Sequence, residues 1–211
     1  MRAPIRAAAA LAAVAAAVTT GVTTANADTH THAGRADDGG YGYTKVRTNV
    51  PDSAARFQVT SPDIRNGGTI PADSYAGAAF GCSGDNKQIR LSWHGAPKDT
   101  RSYAVTMFDP DAPTGSGLWH WLTWDIPATD TALGAALPTG AVAGTNGAGQ
   151  TGYLGPCPPV GDITHHYRIT VYALDTPSLQ LPAATPATIT TFTMSSHVIG
   201  TATITATARR S

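Results

Sequence analysis

Two short segments of the chain concentrate side chains that donate, accept or hold a proton. The first runs Asp109-Pro110-Asp111-Ala112-Pro113, then Gly115, Gly117 and Trp119-His120-Trp121. The second runs Gly155-Pro156-Cys157-Pro158-Pro159, then Gly161 and His165-His166-Tyr167. The prolines hold φ near one value and the glycines let backbone N–H groups approach a bound group closely. Imidazoles and a phenol supply ring N–H and O–H donors. Neighbouring carboxylates select an imidazole tautomer or raise its pKa. Together these groups suit an oxyanion, a phosphate or carboxylate held by charge-assisted hydrogen bonds. Read one at a time, the aspartates could equally cap turns and the histidines sit satisfied in a core. Two separated segments with the same density favour one pocket built from both turns.

Such turns need strands to aim them. Phe57-Gln58-Val59-Thr60, Ile89–Trp93, Tyr103–Phe108, Trp119–Ile126, Tyr167–Leu174 and Thr201–Ala208 alternate or run apolar, β-branched and aromatic. They are separated by Gly, Pro, Asn and Asp clusters, the pattern of strands and turns. All 14 acidic residues are Asp and none is Glu, a bias against helix interiors. A stretch near Thr188–Gly200 could form a short helix. The expected fold is mainly β: a sandwich of two packed antiparallel sheets with a few short helices. Period-two alternation places His120 on one strand face and Trp119 and Trp121 on the other. By the same rule His165 and Tyr167 share a face and His166 points away.

Other chemistries find less support. Gly-x-Ser-x-Gly is absent and Gly115-Ser116-Gly117 is too short for a nucleophile elbow. His120, His165, Asp109 and Asp111 could offer metal ligands, but no His-x-x-x-His or Cys/His cluster accompanies them. We therefore expect a binding protein, not an enzyme, with no cofactor and no metal in the pocket.

Residues 1–27 carry Arg2 and Arg6, an Ala/Leu/Val stretch from Ala7 to Val18, and Ala25-Asn26-Ala27. That is the pattern of a secretory signal with cleavage near Ala27. The apolar stretch is shorter than the roughly 20 residues a membrane span needs, and no Cys follows it for lipid attachment. We expect export, to the cell envelope or the medium, without a transmembrane anchor. Residues 28–52 read as a flexible polar lead-in and 53–211 as one domain. Without the signal, 12 basic residues face 14 acidic ones. A net charge of about −2 gives no electrostatic reason to bind nucleic acid. Cys82 and Cys157 are the two cysteines, and in an exported chain the simplest expectation is a disulfide. It would tie the Gly155–Gly161 turn to the Phe80–Asn86 region and add of the order of 4 kcal/mol by chain-entropy estimates.

The two segments closely resemble the phosphatidylethanolamine-binding protein family, in its bacterial, Raf-kinase-inhibitor-like branch. Ser61-Pro62-Asp63-Ile64, Asn66-Gly67-Gly68, Ile70-Pro71, Gly81-Cys82, Gly84, Asn86, Leu91, Trp93, Tyr172-Ala173-Leu174-Asp175 and His197-Val198 add to the likeness, which spans about residues 57–208. The resemblance implies a β-sandwich with a small anion pocket for phosphorylated head groups such as phosphoethanolamine. Carried over, the pocket includes Asp109, His120, His165 and Tyr167, with Asp111, Pro113, Gly155 and Pro156 shaping its wall. One departure stands beside it: Lys87-Gln88-Ile89-Arg90 replaces a stretch where bacterial members commonly carry Ser-Pro, and its two bases could alter the rim.

The expected ligand is a small phosphorylated molecule or a phospholipid head group. The alternative is a protein partner, since relatives are linked with kinase or protease inhibition; export favours a protease or an envelope partner. If protonated imidazoles are the donors, anion affinity weakens as pH rises near 6.5. A separate possibility lies at the new N-terminus. A chain beginning Asp28-Thr29-His30 presents an amine, two amides and an imidazole that can wrap Cu(II) or Ni(II) in a square plane; a plain polar tail is the other reading. On the metal-binding reading, cupric titration of the processed chain should show tight one-to-one binding, and weak or multiple binding rules it out.

Overall fold

The computed structural model describes residues 50–211. The signal segment, most of the lead-in and the Asp28-Thr29-His30 motif lie outside the described residues. The strands are β1 (Ala55–Arg56), β2 (Gln58–Thr60), β3 (Gly68–Thr69), β4 (Leu91–His94), β5 (Ser102–Asp109), β6 (Leu118–Pro127), β7 (Ala132–Leu133), β8 (Val142–Ala143), β9 (His165–Leu174) and β10 (Val198–Ala208). One helix, α1 (Ala187–Ser195), precedes β10. A seven-stranded sheet has the order β1-β10-β9-β5-β6-β8, with β3 also on β10; a three-stranded sheet has the order β2-β4-β7. The fold is mainly β with two sheets, as expected from the alternation. The pairing is antiparallel except for the short β1 and β3, which run parallel to β10.

The alternation decides which side of each strand is apolar. Tyr103, Val105 and Met107 of β5, Tyr167, Ile169 and Val171 of β9, and Ile204 and Ala206 of β10 face the small sheet's Leu91, Trp93 and Leu133. This is the core between the sheets. The opposite face of the large sheet carries Ala104, Leu122, Trp124 and Leu174, covered by Leu179 and by Met194 of α1. Burying both faces explains why all eight residues of β5 are buried. The helix forms within the Thr-rich stretch because Pro186 presets its entry and the Thr191 hydroxyl is absorbed by the Ala187 and Thr188 carbonyls.

Strict alternation fails where the β5–β6 register shifts, and one of these shifts lies at His120. Phe108 pairs with Trp119 and Met107 with Trp121, so His120 is the extra residue of a bulge in β6. The two tryptophans therefore do not share a face, contrary to the sequence expectation. Trp121 packs in the core between the sheets, against Tyr153, while Trp119 lies tilted against Phe108 toward the second core. The bulge turns the His120 ring onto Tyr167, with ring centres 5.1 Å apart.

Cys82 and Cys157 are joined, with Cα atoms 6.0 Å apart, as expected. The bond binds the Gly155–Cys157 strap to the segment after Phe80. The strap is also seated sterically. A Cβ on Gly155 would overlap the Ser74 carbonyl oxygen and lie 2.6 Å from Ala76 N. Backbone cannot rotate aside, so Gly155→Ala should cost about 3 kcal/mol, the upper end of overpacking. At Gly115, with φ +79 and open space around it, alanine should cost about 1–2 kcal/mol through left-handed backbone strain alone. Urea denaturation of the two variants checks the contrast, and equal losses would refute it.

Candidate functional site

Three adjacent strands of the large sheet deliver the polar groups to one place. Asp109 ends β5, His120 bulges from β6, and His165 and Tyr167 begin β9. Their exposures are 1%, 4%, 1% and 0%, so the cluster is a buried one whose polar atoms must find partners among themselves. Asp109 Oδ2 lies 2.7 Å from His165 Nδ1 and 3.9 Å from His120 Nε2. Asp109 Oδ1 accepts the Asp111 N–H at 2.9 Å, an Asx turn that starts the Pro-rich loop. His165 Nε2 faces a second carboxylate, Asp162 Oδ2, at 3.3 Å.

These partners assign the protons. A carboxylate on each ring nitrogen of His165 calls for an N–H on each, which is the imidazolium. Burial works to lower the pKa of His165, but the hydrogen bond and charge of Asp109, followed by those of Asp162, outweigh it and hold it above the usual histidine range. His120 is the reverse case. Burial pulls it below the usual range, and the opposing Asp109 charge does not restore it. Its Nδ1 lies 3.0 Å from the Leu154 carbonyl, which can only accept, so the neutral ring carries its proton on Nδ1. Tyr167 is pushed far above the ordinary phenol range by burial and by the Asp109 carboxylate beside it, so its O–H remains a donor. The expectation of two protonated imidazoles thus becomes one charged ring, one neutral ring and a phenol.

The remaining residues named from the sequence take distinct places. Gly155 and Pro156 are buried in the strap next to His120, whose carbonyl accepts the Leu154 N–H at 2.8 Å. Asp111 turns outward. Its Oδ2 accepts both the backbone N–H and Nδ1 of the exposed His166, each at 2.8 Å, and so clips the first turn to the start of β9. Pro113 is exposed at the loop tip. The geometry brings Asp109, His120, His165 and Tyr167 together, with Asp111 and Pro113 outside that buried group.

Two residues had no assigned role in the sequence reading. Asn86, at φ +53, donates to Tyr153 O at 3.0 Å and accepts the Gly155 N–H at 2.7 Å, and so hangs the strap. Its signal was Asn after Gly84-Asp85, a residue tolerant of left-handed backbone. Asp162 is the other, and only the turn of the chain at Gly161 brings it onto His165. The bases of the departing stretch are spent nearby: Lys87 pairs with Asp73 at 2.7 Å and Arg90 with Asp63 at 2.5 Å. Among the described residues no three His, Cys, Asp or Glu side chains converge to hold a metal ion, and no helix is long and apolar enough to cross a membrane.

Comparison with known proteins gives the chain a family. The family model described as phosphatidylethanolamine-binding protein matches residues 60–209. The chain is 44% identical over 160 residues to the Escherichia coli protein YbcL, covering 72% of this chain and 87% of that one. It is 36% identical over 141 residues to LppC of Mycobacterium tuberculosis, described as a lipoprotein, covering 66% of each chain. The crystal structure of YbcL, described as a new member of the mammalian PEBP family, superposes with a TM-score of 0.71 at 42% identity, covering 74% of this chain and all of that one. A PEBP homologue of Chlamydia trachomatis has a TM-score of 0.65 at 28% identity, covering 75% of this chain and 99% of that one. With this fold, this cluster on β5, β6 and β9 and these matches, the chain belongs to the phosphatidylethanolamine-binding protein family.

Proposed function

We propose that this protein is a non-catalytic binding protein whose pocket, around His120, His165 and Tyr167, holds the phosphate group of a small molecule or of a phosphatidylethanolamine-like head group. The observation that carries the reading is the His165 edge. Its Nδ1 is anchored on buried Asp109, and its Nε2 already faces an oxyanion, the Asp162 carboxylate, 3.3 Å away. A phosphate oxygen meets the same donor with the same charge-assisted geometry. Tyr167 adds a phenol donor, and Asp109 keeps the imidazolium charged. The Gly155-Pro156 strap excludes water around these groups, which strengthens each interaction.

The protein works outside the cytoplasm in this reading. The N-terminal segment has the pattern of an export signal, the Cys82–Cys157 disulfide belongs to oxidising compartments, and the relative LppC is described as a lipoprotein.

Calorimetry with phosphoethanolamine and with sulfate, which does not titrate between pH 5 and 9, tests the pocket. Affinity for sulfate should hold through pH 6.5 and decline only above it, as His165 loses its proton. The groups facing His165 are Asp109 from β5, His120 from β6, Asp162 from the preceding turn and Tyr167 from β9. Across that window His120 is already neutral, Tyr167 keeps its proton and Asp162 is held below the usual carboxylate range. A flat profile from pH 5 to 9 overturns the role given to His165. His120→Ala should weaken binding roughly tenfold with the fold retained, on the scale of one buried polar contact.

The same proton appears in stability. A histidine with a native pKa above its unfolded value stabilises the fold fully below about pH 6.5 and loses that contribution as pH rises through the native value. Melting temperatures of the ligand-free protein should therefore fall between pH 6.5 and 9, and His165→Gln should flatten that slope.

A further inference from the structure

The cationic edge of His165 is not open. Asp109 lies behind the ring at 2.7 Å, Tyr167 stacks beside it with planes 21° apart, and Asp162 caps Nε2. His165 is 1% exposed, whereas the Asp162 side chain is 30% exposed. Of the groups bonded to the ring, Asp162 alone reaches solvent. It closes the Pro159–Asp162 turn, in which Gly161 takes φ +81 and the Asp162 N–H bonds to the Pro159 carbonyl at 3.2 Å. Its other oxygen, Oδ1, accepts the Ile163 N–H at 2.7 Å. A rotation about the Asp162 side-chain bonds releases Nε2 without moving β9.

We propose that Asp162 is a built-in competitor for the anion pocket: its carboxylate occupies the position of a ligand oxygen on His165, and a ligand binds by displacing it. The proposal rests on the anion-pocket reading and names what limits affinity at that site. Displacement exchanges one charge-assisted hydrogen bond for another, so the bond itself contributes little net affinity. The ligand must then gain its advantage from the remaining donors, such as the Tyr167 hydroxyl. A group with several oxyanion oxygens, such as phosphate or sulfate, can do this. A single carboxylate only repeats what Asp162 already supplies. Asp162 thereby acts as a specificity-determining residue, setting a threshold that a tetrahedral oxyanion passes and a carboxylate does not.

Asp162→Asn tests this directly. The amide oxygen can keep the Ile163 N–H bond, but the amide nitrogen only donates and cannot accept from His165. Affinity for sulfate should rise about tenfold, the order of one charge-assisted hydrogen bond no longer contested. Acetate, which should not bind the unaltered protein measurably, should become a ligand. The gain should persist at 0.5 M salt, whereas mere relief of long-range repulsion is screened away there. Asp162→Ala should act in the same direction, and the His165 pKa followed by NMR should fall in both variants.

Tighter sulfate binding in the variants, including binding that appears only in them, supports the proposal. If the unaltered protein binds sulfate and the variants bind it no better, or lose the gain at high salt, the competitor role is overturned while the pocket stands. If neither form binds sulfate or phosphoethanolamine, the pocket reading fails and the proposal with it.

Discussion

A carboxylate buried to 1% exposure, as Asp109 is, has to be compensated where it stands, because an unpaired charge in the interior costs several kcal/mol. Here the compensation comes from His165 Nδ1 at 2.7 Å and the Asp111 N–H at 2.9 Å. This constraint sets the rest of the site. It requires β5 to end where β9 begins, and the β5–β9 ladder from Ser102–Leu174 to Phe108–Arg168 brings them there. It requires a proton on the far side of His165, which invites a second acceptor. It also leaves His120, 3.9 Å from the same carboxylate, to satisfy its proton elsewhere, on Leu154.

The strap from Tyr153 to Cys157 is the second structural dependence. It carries no ordinary strand pairing and is held by separate devices: the His120–Leu154 backbone bond, the Asn86 side chain, the bond from the Ala76 N–H to the Pro156 carbonyl, the disulfide, and close contact at Gly155. These converge on the side of the cluster that a single sheet cannot cover. The result is a backbone fixed at several points around the donor set. Arg210 extends the enclosure to the end of the chain, with its guanidinium against the disulfide sulfurs and the Pro158 and Gly81 carbonyls.

Much of this was legible in residue order. Alternation marked β9 and β10 because one of their faces is more buried than the other, and β5, buried on both faces, was marked by its run of apolar, β-branched and aromatic residues. The Asp-Pro-Asp and Gly-Pro-Cys-Pro-Pro runs marked the turns because proline and glycine restrict and free the backbone in opposite ways. The cysteines pointed to their bond, and His165 and Tyr167 to a shared face, because both follow from chemistry or local geometry. The family resemblance carried over positions, not protons.

What residue order could not supply was set by non-local packing. The bulge at His120 breaks the period that predicts its face, and it exists because β5 and β6 must keep register around an extra residue. The division into one charged and one neutral histidine depends on which carboxylates lie within a few ångströms after folding: two touch His165, and none makes a hydrogen bond to His120. Asp162 looked like a turn residue beside a glycine, and only the fold sets its carboxylate on a buried ring. The chain by itself therefore determined which chemistry was present and which strands would carry it. Tertiary structure decided the protonation of the histidines and the contact of Asp162 with His165, because charge interactions depend on distance and burial, and neither is a property of sequence separation.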